Sequence, residues 1–220
     1  MKIKTIAIIA GGTISDRPFH QKVLAKANLI ICADSGADNA FKLGVIPNYV
    51  IGDLDSISYT ALQKLQKIPH CRILFDHNQN KTDLELAIAL AQSFNPAEVI
   101  ILGAIGDNLD HTLANLICLD KIRRDISAYI IDNRHEIHLV DKSITLRGKK
   151  GDIVSVITLM PVKNLKYSGL KWDPDNINSV FGWFGIRNRM TKSSAEITVD
   201  SGKILVIKIT ARKPDVSCPG

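Results

Sequence analysis

Aromatic side chains are scarce in this 220-residue chain, at 5% of residues, although 45% are hydrophobic. The core is therefore expected to be aliphatic. No apolar run approaches the roughly 20 residues that a membrane-spanning helix requires. The stretch from Ile3 to Gly12 is apolar but short, and its glycines and the pattern that follows argue against a signal peptide. Cys32, Cys71, Cys118 and Cys218 show no paired metal spacing, so no zinc site is expected. Three of them sit in apolar runs and read as reduced core residues of a cytoplasmic protein. The pattern Gly-x-x-x-x-Gly-Lys-Ser/Thr is absent, which excludes a P-loop enzyme. So is Gly-x-Ser-x-Gly, the elbow of serine hydrolases. Repeats and low-complexity tracts are also missing.

The formal net charge is +6, unevenly placed. Residues 1–110 carry 10 basic and 11 acidic side chains, and residues 111–220 carry 18 and 11. The basic residues are scattered, without a basic helix or an aromatic-interleaved patch. A solvated surface, or a small polyanionic substrate, is expected rather than nucleic acid.

What is present is an alternation. Apolar runs at Lys2–Ala10, Leu29–Ala33, Tyr49–Gly52, Cys71–Phe75, Glu98–Leu102 and Ser127–Asp132 read as strands. Helical patterns lie between them. Gly36–Leu43 is stopped by Gly44 and Pro47, and Ser58–Gln66 follows. Thr82-Asp83-Leu84-Glu85 is a capping box that opens a helix with Leu84, Ala87, Ile88 and Ala91 on one face. A last helix carries Leu113, Leu116 and Ile117 on one face. Such alternation predicts an open parallel sheet covered by helices, an α/β fold with all strand carboxyl ends on one edge. After residue 134 helical periodicity disappears. Short runs at Glu136–Val140, Ser143–Leu146, Ile153–Leu159, Ala195–Val199 and Ile204–Ile209 predict a C-terminal all-β sandwich. Lys149–Asp152 reads as a turn, and Asp200-Ser201-Gly202-Lys203 as the turn of a hairpin. The expected domains are 1–134, 135–213 and a flexible tail, 214–220.

Each unusual polar cluster follows a strand. Ile51-Gly52-Asp53-Leu54-Asp55-Ser56 ends one with two aspartates. If strand geometry persists there, Asp53 and Asp55 face the same side. Asp34, Asp53, Asp55 and Asp83 can share one or two Mg²⁺ ions, a hard cation that takes oxygen ligands and substrate phosphates. Gly11-Gly12, Ser35-Gly36 and the Gly103–Gly106 loop let backbone approach a phosphate or base closely. The helix opening at Thr82 presents free N–H groups. The residues alone thus predict a Mg²⁺-dependent enzyme for a phosphorylated ligand.

Ala33-Asp34-Ser35-Gly36-Ala37-Asp38, Ile51–Ser56, Gln79-Asn80-Lys81-Thr82-Asp83, Gly103–Asn115, Gly169-Leu170-Lys171-Trp172 and Ile197–Gly202 together resemble the motif series of the thiamine pyrophosphokinase family. The resemblance implies a homodimer, with the site expected between the α/β domain of one subunit and the sandwich of the other; a dimer whose sites are each built from a single chain is the alternative. The same resemblance implies transfer of diphosphate from ATP to thiamine, giving thiamine diphosphate and AMP. The implied catalytic residues are Asp34, Asp55, Asp83 and Asp110, with metal on Asp53, Asp55 and Asp83. Asp55 and Asp110 both remain candidates for the general base. The nucleotide is expected at Gly11, Gly12, Ser35, Gly36, Thr82, Gly103, Gly106, Asn108, Asp110 and His111. Thiamine is expected at Gln79, Arg187 and Asn188. His111 reads equally as a helix-start residue, and Trp172 and Trp183 read as core or interface.

The chain departs from the family at four places. Ser35 stands for a glycine, Asn80 for an aspartate, Asp107-Asn108 for Gly-Arg, and Arg187-Asn188 for Ser-Asn. Arg187 is therefore a candidate to reach the phosphates from the partner subunit in place of the missing arginine. The alternatives are a pyrophosphokinase for another heterocyclic alcohol, such as a pterin, and a non-catalytic nucleotide-binding regulator.

Overall fold

The computed structural model describes residues 3–77 and 80–211. Gln79 and the expected tail, 214–220, lie outside the described residues. Two compact units meet in the chain between Asn133 and Arg134. Among the described residues no helix is long and apolar enough to cross a membrane.

The first unit alternates strand and helix. Its elements are β1 (Thr5–Ile9), α1 (Arg17–Leu24), β2 (Leu29–Ala33), α2 (Gly36–Leu43), β3 (Tyr49–Gly52), α3 (Tyr59–Gln66), β4 (Arg72–Phe75), α4 (Asp83–Ser93), β5 (Glu98–Leu102), α5 (Leu109–Cys118) and β6 (Ser127–Ile131). All six strands pair parallel, in the spatial order β6-β5-β1-β2-β3-β4. Ile6, Ile8, Ile9, Ile31, Ile100, Ile101 and Leu102 are fully buried, as strands covered on both faces must be. Each such side chain contributes about 1.5–3 kcal/mol on leaving water.

The order matters for function. From β1 the chain winds outward through β2, β3 and β4, then returns to place β5 on the other side of β1. Helices therefore leave β1 and β5 in opposite directions, and a crevice opens outside their carboxyl ends.

Two features of this unit differ from expectation. The sequence pattern did not predict α1. Its signals are Asp16, whose carboxylate accepts from the Phe19 N–H at 2.9 Å, and Pro18 in the first turn. The apolar face of α5 also points outward: Leu109 is 69% exposed, Leu113 51% and Ile117 57%. Helical periodicity identifies a stripe but not what covers it.

The second unit contains β7 (His135–Val140), β8 (Ser143–Arg147), β9 (Ile153–Thr158), β10 (Val162–Ser168), β11 (Ile177–Ser179), β12 (Phe184–Arg189), β13 (Ser194–Thr198) and β14 (Ile204–Ile209). Antiparallel pairing sets β12-β9-β14-β7 in one layer and β11-β10-β13-β8 in another. Leu146, Leu165 and Ile197 from one layer share a core with Val154, Ile204 and Val206 from the other. That is a sandwich.

The hairpin expected at Asp200–Lys203 is not one. β13 and β14 lie in different layers, and the turn crosses between them. Both strands point alternate apolar residues at the shared interior, so a turn sequence cannot distinguish a return in the same sheet from one in the facing sheet. The strands β10, β11 and β12 were also unforeseen. Lysines and asparagines interrupt β10, and the β12–β9 register shifts between Gly185 and Asn188, with Arg187 at φ 61°.

Candidate active site

The carboxyl edge of the parallel sheet carries four aspartates from three loops. Asp34 follows β2, and its N–H donates to the Ile51 carbonyl of β3 at 2.9 Å. It is only 3% exposed, and its Oδ1 is buried without a hydrogen-bond partner among the described residues. Asp53 and Asp55 follow β3. They do not converge through strand geometry, because Leu54 sits at φ 63°. Leu54 turns its side chain onto the core under α2 and α3, and the two carboxylates are thrown to the other side. Ligand oxygens of Asp34, Asp53 and Asp55 all lie within 4.8 Å of one another. The Asp55 N–H donates to Asp53 Oδ1 at 3.3 Å. The loop is held further on by Asp38 of α2, which accepts from the N–H of Ser58 at 2.9 Å and from its hydroxyl.

Asp83 is the first residue of α4. Thr82 caps this helix by accepting from the Glu85 N–H at 3.3 Å, and Glu85 accepts from the Thr82 N–H at 2.9 Å. Gly52 makes the approach possible. A Cβ there would lie 2.6 Å from Asp83 Oδ1 and 3.0 Å from the Asp34 Cβ, and its φ of 151° disfavours any other residue.

Like charges gathered at a half-buried edge shift their own titration. Burial, and then the charges of Asp83, Asp55 and Asp53, push the Asp34 carboxyl up to about 6, against a backbone hydrogen bond at Ser35. Burial, then Asp53 and Asp55, also raise Asp83. A buried carboxylate oxygen with no partner, beside two further carboxylates, fits a hard divalent cation. Asp34, Asp53 and Asp55 could each offer a ligand oxygen to such an ion, with Asp83 adjoining them.

A cavity of about 1050 Å³ adjoins these groups. It occupies the crevice between β1 and β5. Gly11, Gly12, Ser35, Thr82, Gly106, Asn108, Asp110 and His111 line it, with Asp34 and Asp83. The loops after β1 and β5 are tied together by Gly12 N–H to the Gly103 carbonyl at 2.7 Å and Thr13 N–H to the Ile105 carbonyl at 2.8 Å. Asn108 is the N-cap residue of α5, but its side chain makes no capping bond, which leaves it available to a ligand. Asp110 Oδ1 accepts from the His111 N–H at 2.8 Å.

Gly36 and Gly103 do not line this cavity, and tight backbone packing requires glycine at both. A Cβ on Gly36 would strike the Ile9 carbonyl, and one on Gly103 would lie 2.5 Å from the Ala10 carbonyl.

Asn39, Asn115, Thr112 and Lys42 are among the cavity residues outside the expected site set. Asn39 is buried, and its amide donates to the carbonyls of Ala10 at 2.9 Å and Gly12 at 2.8 Å. Asn115 donates to the Ala104 carbonyl at 2.9 Å. Thr112 bonds the Gly106 backbone through its hydroxyl. Lys42 lines the wall beside Asn39. Only Asn39 carried a usable signal: an asparagine at a core position of a short helix must find partners.

In the second unit, Arg187 and Asn188 sit on β12. Arg187 is exposed, and its N–H donates to Ser155 Oγ at 3.0 Å. The Asn188 amide is already engaged. Its Oδ1 accepts from the Trp172 N–H at 3.1 Å, and its Nδ2 donates to the Trp172 carbonyl at 2.6 Å. Trp172 is 51% exposed and stacks on Trp183 with centroids 6.0 Å apart, so it is a surface ring rather than core.

An open parallel sheet whose switch-point crevice combines a glycine-lined cavity with clustered carboxylates defines an α/β enzyme with its site at the carboxyl edge. The family description "Thiamin pyrophosphokinase, catalytic domain" matches residues 20–130, and "Thiamin pyrophosphokinase, vitamin B1 binding domain" matches residues 134–204. The chain belongs to the thiamin pyrophosphokinase family. It is 26% identical to the thiamine pyrophosphokinase of Bacillus subtilis, over 94% of this chain and all of that one. It is 28% identical to thiamine pyrophosphokinase 2 of Arabidopsis thaliana, over 85% of this chain and 79% of that one. The solved structure of the Bacillus subtilis enzyme superimposes with a TM-score of 0.83 at 25% identity, covering 95% of this chain and all of the other.

Proposed function

We propose that this chain transfers diphosphate from ATP to the hydroxyethyl group of thiamine, with Mg²⁺, giving thiamine diphosphate and AMP. The observation that carries the reading is the convergence of Asp34, Asp53 and Asp55, with Asp83 beside them, at the mouth of the switch-point cavity. All the named relatives carry thiamine in their names, which supports thiamine over a pterin as acceptor.

The hydroxyl oxygen of thiamine attacks the β-phosphorus. The bond from that phosphorus to the oxygen bridging it to the α-phosphorus breaks, and AMP leaves with that oxygen. Such a transfer depends mainly on positioning and charge neutralisation. Asp34, Asp53, Asp55 and Asp83 would hold Mg²⁺, which neutralises charge on the phosphate oxygens. Asp55 or Asp110 accepts the hydroxyl proton. The backbone of Gly11, Gly12 and Gly106 lies against the nucleotide, with Ser35, Thr82, Asn108 and His111 around it. Gln79, Arg187 and Asn188 belong to the thiamine side. The test is an assay with ATP, Mg²⁺ and thiamine that follows AMP and thiamine diphosphate together. AMP release without thiamine diphosphate would refute the acceptor assignment.

The active form is a cytoplasmic homodimer with each site shared between subunits. The uncovered stripe of Leu109, Leu113 and Ile117 supports an association surface, and the free thiols of Cys32, Cys71 and Cys118 fit a reducing compartment. Sedimentation during turnover should show a dimer; an active monomer would overturn the shared site.

A further inference from the structure

The cavity wall is acidic where its ligand is expected to be acidic. Asp34, Asp83, Asp107 and Asp110 line it, and Lys42 is the one lysine or arginine that lines it among the described residues. Lys42 sits in the last turn of α2, and its ammonium lies 3.5 Å from Asn39 Oδ1. Asn39 has spent both of its donors on the Ala10 and Gly12 carbonyls, so its oxygen is left facing the lysine. One buried amide thus does two things: it fixes the glycine turn after β1 and steers the lysine along the cavity wall. Among the described residues Lys42 has no carboxylate partner, and its charge is available to a ligand.

From this geometry we infer that Lys42 is a phosphate-binding residue of the nucleotide cavity, aligned by Asn39. The inference rests on the ATP reading above and names the chain's own counter-charge for that ligand. A lysine acts on phosphate as a point charge and does not need the planar fork of an arginine. The contact lies within the α/β unit, so it does not depend on Arg187.

The test uses the full-length protein and the variants Lys42→Met, Lys42→Arg and Arg187→Ser. KM for ATP and for thiamine is measured with Mg²⁺, and ATP and adenosine binding is measured directly by calorimetry. Lys42→Met should raise KM for ATP about tenfold, leave KM for thiamine unchanged and leave adenosine binding unchanged. Lys42→Arg should restore most of the loss. Lys42 is exposed, so melting temperature should not move. Unchanged ATP kinetics in Lys42→Met, or an equal loss of adenosine affinity, would overturn the assignment. So would a loss of ATP affinity seen in Arg187→Ser and not in Lys42→Met. Wild-type protein that binds no ATP would overturn the nucleotide reading and this inference together, whereas wild type that binds ATP beside an unaffected Lys42→Met overturns the lysine alone.

Discussion

The two units place their polar groups by different means. In the α/β unit the central strands β1, β2, β3 and β5 are largely buried on both faces, so few polar groups sit along them. The chemistry is pushed to the loops at one edge, where Asp34, Asp53, Asp55 and Asp83 meet. In the sandwich several strands, β8, β10 and β13 among them, keep one face open to water, and polar groups sit along such strands. Glu136, His138 and Lys208 form an ionic cluster on adjacent strands, and Asn188 pairs with the backbone at Trp172. An edge site depends on turn conformation, and a face site depends on strand register. Mutations should therefore fail differently in the two units.

The largest effect is expected at the edge. Asp53→Ala or Asp55→Ala should lower kcat by about 10²–10³-fold or more with little change in melting temperature, since removing one of several like charges does not loosen the fold. Near-normal turnover of Asp53→Ala at ordinary Mg²⁺ would remove it from the metal set.

Gly52→Ala comes next, because it strikes conformation and space together. The new Cβ meets Asp83 and Asp34, and φ is strained. A stability loss of about 1–3 kcal/mol should accompany the loss of activity, visible in denaturant titration. If stability is kept, the carboxylates are less tightly gathered than the geometry indicates.

In the sandwich, Asn188→Leu leaves the Trp172 N–H and carbonyl without their partner. The expected cost is about 1–3 kcal/mol, and KM for thiamine should rise while KM for ATP stays put. Equal changes in both would mean that the two units are not separable in this way.

The smallest effect concerns acid. Burial alone would raise the Glu136 carboxyl, but hydrogen bonds from His138 and Lys208 outweigh it and hold it near 2 against an ordinary 4.5. A carboxyl depressed in the folded state contributes stability that is full above its unfolded pKa. That contribution should fade as pH falls from about 4.5 towards 2. Replacing Glu136 with Gln should flatten the loss in a pH series of melting temperatures; an unchanged slope would assign acid sensitivity elsewhere.

Legibility followed the same division. In the α/β unit the helix Gly36–Leu43 and the strands Tyr49–Gly52 and Glu98–Leu102 stand where periodicity and punctuation put them, because each signal is local: a buried run, a cap, a glycine stop. The capping box at Thr82 is present in both directions. In the sandwich β10, β11 and β12 stayed hidden, since lysine, asparagine and a bulge interrupt the alternation that marks a strand.

Sequence alone was enough for the alternation, the change of grammar near residue 134, and the presence of aspartates and glycines at strand ends. These depend on contacts a few residues apart. Tertiary structure decided the rest. It set β5 beside β1, and so put the crevice between the Gly11 and Gly103 loops. It sent β13 and β14 to opposite layers. It turned Leu54 inward, so that Asp53 and Asp55 converge without a strand. It also brought Asn39 and Lys42 to the cavity wall. These outcomes depend on which distant segments pair and pack, and no short-range pattern carries that information.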